Sequence, residues 1–88
     1  ANGTSLQGHV KTTYATLIKA FGEPTFEGDG DKTTCEWVIT FADGSVATIY
    51  DWKLWETPMD EYDWHVGGHT NKVVDYVEFA VRLAERNN

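Results

Sequence analysis

The pair Asp43-Gly44 separates two alternating runs, Thr33–Phe41 and Ser45–Trp52, both rich in β-branched and aromatic residues. An Asp-Gly in that setting is the strongest short-range sign of a β-hairpin. If the loop is Asp43-Gly44 alone, Phe41 stands opposite Val46, Ile39 opposite Thr48 and Trp37 opposite Tyr50. That register gathers Trp37, Ile39, Phe41, Val46 and Tyr50 on one face, with Cys35 on the same side of its strand. Val38, Ala47 and Ile49 then share the reverse face, which is less polar than a solvated sheet needs. The reverse face is therefore expected to be partly covered or used for binding, a second copy of the chain included.

Around the hairpin the pattern changes period. Val10, Tyr14, Leu17, Ile18 and Phe21 recur at helical spacing, which predicts a helix from about His9 to Ala20, stopped by Gly22 and Pro24. Tyr62-Asp63-Trp64-His65-Val66 alternates and predicts a third strand, ended by Gly67-Gly68. A second helix is expected from about Asn71 to Arg86, with Val73, Val77, Ala80, Val81 and Ala84 as its apolar stripe. Residues 1–8 show no period and read as an arm, followed by one domain over residues 9–88. The expected fold is α+β: a three-stranded antiparallel sheet with two amphipathic helices on one face, in the order α-β-β-β-α.

At 88 residues the chain supports one domain, and surface scaling lets it bury about 64% of its unfolded surface. The 14 acidic and 7 basic residues leave a net charge of −7. Without a basic patch, direct binding to nucleic-acid phosphates is not expected. No apolar run approaches the roughly 20 residues that cross a bilayer, and the first residues have neither the basic flank nor the apolar stretch of a signal peptide. The single cysteine, Cys35, excludes an internal disulfide and suits a reducing compartment.

The charge is concentrated. Glu23, Glu27, Asp29 and Asp31 bring −4 to residues 23–31, and Asp51, Glu56, Asp60, Glu61 and Asp63 against Lys53 bring −4 to residues 51–63, so the rest sums to +1. These stretches read either as solvated loops or as patches for a basic partner. Trp52 and Trp55 lie in the second, where they either close the edge of the core or serve as interface anchors.

Other groups invite chemistry. His65 and His69 are metal-ligand types four residues apart, but that spacing converges on a helix face and here spans a strand end and a turn. Gly67-Gly68 before a helix could hold an anion, or could merely allow positive φ. Cys35 on a core-facing position reads as an inert thiol, Ser5 and Ser45 lack any hydrolase motif, and Asp60 and Asp63 in a solvated loop lack the burial that tunes acid–base groups. No catalytic residue and no cofactor is expected.

The runs Cys35-Glu36-Trp37-Val38-Ile39, Asp43 to Lys53 and Trp64-His65-Val66-Gly67-Gly68, with Ser5-Leu6-Gln7-Gly8 and Phe21-Gly22-Glu23-Pro24-Thr25, resemble small bacteriophage-encoded proteins of unassigned function. The resemblance covers most of the chain and implies a product acting in the cytoplasm of an infected bacterium, of a kind that often binds and modulates a host enzyme. The expectation is a non-enzymatic accessory protein that binds a basic surface of a host or phage protein. Its contact surface would comprise Asp51, Trp52, Trp55, Glu56, Asp60, Glu61, Asp63, Gly67, Gly68 and His69. The alternative is a small-molecule or metal-binding domain centred on His65 and His69.

Overall fold

Thr13 divides a strand from a helix where helical spacing predicts one continuous helix. The computed structural model describes residues 3–27 and 32–86, and within them β1 (Ser5–Thr12) precedes α1 (Tyr14–Phe21). Then follow β2 (Glu36–Thr40), β3 (Val46–Tyr50), β4 (Tyr62–Gly68) and α2 (Lys72–Arg86). The sheet is antiparallel throughout and four-stranded, in the spatial order β1-β4-β3-β2. This corrects the expected three strands and helix-first order, since the chain runs β-α-β-β-β-α.

The physical cause lies in His9-Val10-Lys11-Thr12. Val10 and Thr12 are buried while His9 and Lys11 are exposed, a period of two rather than 3.6. Val10 fits the helical series by spacing alone. Thr13 is the N-cap, its hydroxyl accepting from the Thr16 N–H at 3.2 Å, and Gly22 ends α1 at φ +85°, its N–H donating to the Ile18 carbonyl. Ser5–Gly8, expected as part of an arm, form the first half of β1, with a bulge between Leu6 and Gly8.

The hairpin has one more loop residue than Asp43-Gly44 alone. The Gly44 N–H donates to the Phe41 carbonyl at 2.9 Å, the Phe41 N–H donates to the Ser45 carbonyl at 2.8 Å, and Gly44 takes φ +87°. Ala42-Asp43-Gly44 is thus a three-residue loop with glycine at the left-handed position. Trp37 faces Ile49, Val38 faces Thr48 and Ile39 faces Ala47, one residue away from the expected register. Such a slip turns every β3 side chain over. Ala47 and Ile49, expected on the reverse face, are 0% exposed in the core, whereas Val46 and Tyr50 lie on the reverse face. The apolar Val38/Ala47/Ile49 surface anticipated for a partner or second copy does not exist.

Both helices cover one face. Leu17 of α1 and Val73, Val77 and Val81 of α2 close over Val10, Trp37, Ala47, Ile49, Trp64 and Val66. Trp37 and Trp64 meet edge-on at 5.6 Å, and their indole N–H groups donate to the Gly22 and Thr12 carbonyls at 2.9 and 3.1 Å. Gly68 lets α2 approach the sheet, because a Cβ there would lie 2.6 Å from Val73 Cγ2 and 3.2 Å from the Val46 carbonyl. Phe26, outside the strands, pairs with Glu36 on the open side of β2, which shields part of that sheet edge. Asp29 and Asp31 of the first acidic stretch lie outside the described residues.

Candidate functional site: the helix-free face of the sheet

One row of side chains crosses all four strands on the face opposite the helices. His9 of β1 is directly opposite His65 of β4, His65 is opposite Tyr50 of β3, and Tyr50 is opposite Glu36 of β2. The His9 and His65 ring centroids are 4.7 Å apart, and Tyr50 stacks on His65 at 5.3 Å with an interplanar angle of 22°. Trp52, just past β3, comes within 6.3 Å of Tyr50 and 6.4 Å of His65, and the Lys32 ammonium lies 5.7 Å above the Trp52 ring. Beside the row, Gly67 leaves space for Thr48, whose hydroxyl would be 2.5 Å from any Cβ at that position. The result is a cleft of about 250 Å³ bordered by Ser5, Glu36, Thr48, Tyr50, Trp52 and Gly67.

Electrostatics follow from this crowding. Burial, with the neighbouring His9, lowers the His65 imidazole below its ordinary value, against a weaker upward pull from the Tyr50 backbone and Asp51. His65 Nδ1 is shielded from solvent and has no hydrogen-bond partner. Burial and the Glu36 carboxylate raise the Tyr50 phenol. Burial likewise raises the Cys35 thiol, which is buried and unsuited to nucleophilic work.

The residues expected to form a contact surface separate into two groups. Asp51 is 0% exposed, so it belongs to no surface. One of its oxygens accepts from the Thr34 N–H at 2.7 Å and the other from the Thr34 hydroxyl, which also pairs with Thr57 at 2.7 Å. The Lys53 N–H donates to the Lys32 carbonyl at 2.6 Å, so segment 32–34 is stitched to segment 51–53 and Trp52 is held in place. Trp52 is 40% exposed and Trp55 103%, that is, with no burial at all. Glu56, Asp60, Glu61 and Asp63 are exposed, and Met59 among them is 62% exposed.

Gly67 and Gly68 are buried strand residues, not a turn. They pair with β1 on one side and with Thr48 and Ala47 on the other, and neither has positive φ. Their backbone groups serve the sheet ladder, and α2 starts four residues past Gly68, so no glycine turn presents N–H groups to an anion. His69 lies beyond the end of β4, near Gly3, while His65 faces the row. Four residues of strand place them roughly 13 Å apart along the chain direction, so the expected His65/His69 pairing is not formed. Among the described residues no three His, Cys, Asp or Glu side chains gather as a metal site.

His9, Glu36, Thr48 and Tyr50 are the components the sequence reading missed. Helical spacing predicts a helix that starts at His9, and the two-residue-loop register puts Tyr50 in the core. Alternation over His9–Thr12 was the available signal for the first. Comparison with protein-family models, curated proteins and solved structures finds no match to this chain.

Proposed function

We propose that the chain is a small acidic, non-enzymatic binding protein that engages a basic surface of another protein through the Trp52–Glu61 loop and the adjoining row of rings. One observation carries the reading: Trp55 is wholly exposed, inside a loop that also exposes Met59, Glu56, Asp60 and Glu61. Tryptophan and methionine are favoured anchors at interface centres, and acids around them accelerate encounter with a basic partner. The resemblance to phage-encoded proteins suggests a host or phage protein, met in the bacterial cytoplasm, as that partner. Among the described residues no helix is long and apolar enough to cross a membrane.

The test uses immobilised protein in bacterial extract. Wild type should retain a basic protein at about 50 mM NaCl and release it at several hundred millimolar. Trp55→Ala should weaken retention by about tenfold or more. The double change Asp60→Lys/Glu61→Lys should slow association and flatten its salt dependence. A partner held equally well by both variants would refute the assignment.

A further inference from the structure

The row of rings contains a pair with a second property, independent of any protein partner. His9 and His65 are cross-strand neighbours on adjacent antiparallel strands, the placement that brings Cβ atoms to about 4.5–5.5 Å. Their centroids lie 4.7 Å apart, with the rings tilted by 58°. Two imidazoles that each give one nitrogen to a common ion at about 2.0–2.1 Å have centroids roughly 4.5–5 Å apart when the angle at the ion is between square and tetrahedral. The free pair therefore already has the spacing of a chelate.

Three further features favour an ion there. His9 is exposed, so an ion can approach from the β1 side, although His65 Nδ1 itself is shielded from solvent. His65 Nδ1 lacks a hydrogen-bond partner, a deficit that coordination would remove. Tyr50 stacked on one side, with Trp52 and Tyr62 at 6.4 and 6.5 Å, fixes the orientation of the His65 ring before any ion arrives.

We infer that His9 and His65 form a two-imidazole site for a divalent transition-metal ion, with water or a donor from a bound molecule filling the remaining positions. A protein ligand set made only of imidazoles favours copper, nickel and zinc over magnesium and calcium, and the stability order places copper(II) tightest.

The chain has 3 histidines, which makes the test direct. The untagged full chain is titrated with CuCl₂, NiCl₂, ZnCl₂ and MgCl₂ by calorimetry, and histidine side-chain NMR signals are followed during copper addition. One equivalent of copper should bind and broaden His9 and His65 before His69, with no response to magnesium. His9→Gln alters an exposed residue, so the fold is retained, and it should weaken copper binding by about tenfold or more. His65→Gln should do the same, and His69→Gln should leave binding unchanged. Broadening of His69 first, equal affinity in His9→Gln, or no stoichiometric binding at about 100 µM protein overturns the inference.

Discussion

Asp51 is a buried carboxylate whose partners are the Thr34 backbone N–H and hydroxyl. Removing it leaves the Thr34 N–H without an acceptor under a partly buried loop, and such losses cost about 1–3 kcal/mol. Asp51→Ala should therefore lower unfolding free energy in urea by about 2 kcal/mol, and Asp51→Asn, which keeps one oxygen acceptor, by less. The same loss should free the segment bearing Trp52, so indole fluorescence should shift in Asp51→Ala under native conditions. Equal stability of wild type and Asp51→Ala would show that the Thr34 contacts contribute nothing net. The residue type could not reveal this role, because five acids share the 51–63 stretch and composition treats them alike. Register could have: Ala47, Ile49 and Asp51 share one side of β3 and its extension, and all are 0% exposed.

The β2–β3 hairpin shows where sequence reasoning succeeded and where it failed. Its existence was legible, since alternation and Asp-Gly both mark it. Its register was not, because two-residue and three-residue loops use the same Asp-Gly letters and differ only in whether Ala42 bends with them. Likewise Gly22 was legible as the stop of α1, whereas its start was hidden by Val10, whose apolar character satisfies either period. The candidate face depended on both missed details, and so was assembled only in three dimensions.

Asp43 makes the hairpin loop a junction. Its carboxylate accepts from the Ser45 N–H and the Tyr76 hydroxyl, each at 2.8 Å, and faces the Lys72 ammonium of α2 at 3.5 Å. The Ser45 backbone N–H first, then the Ser45 and Tyr76 hydroxyls and the Lys72 charge, hold Asp43 well below the usual carboxylate range. A carboxylate depressed by folding stabilises the fold above its unfolded value and loses that contribution as pH falls through the folded one. Wild type should therefore melt above Asp43→Asn at pH 7, and the gap should narrow at pH values below about 4. Melting curves at pH 7, 5 and 3 check this, and a gap independent of pH would assign the difference to hydrogen bonding alone.

Over the whole molecule, the net charge of −7 acts on a body measuring 34 × 34 × 19 Å. At about 0.01 M salt the screening length is roughly 30 Å, so every charge feels every other, whereas at about 0.15 M it is roughly 8 Å and only neighbours interact. Salt thus removes a long-range repulsion that disfavours the compact state. It also weakens the ion pairs Lys72–Asp43, Arg82–Glu78 and Arg82–Glu85, but these are surface pairs worth at most about 1 kcal/mol each, at separations of 2.8–3.5 Å that screening touches least. Repulsion should win, and the melting temperature should rise by about 2–6 °C between those two salt concentrations. The double change Asp60→Lys/Glu61→Lys moves the net charge from −7 to −3, two units per substitution, and should raise the melting temperature at low salt while shrinking its response to salt. The acids of the Trp52–Glu61 loop would then be costly to the fold, as expected of charges kept for a partner. A melting temperature that falls with salt would mean that local ion pairs outweigh the overall repulsion and that the acidic loop carries no such cost.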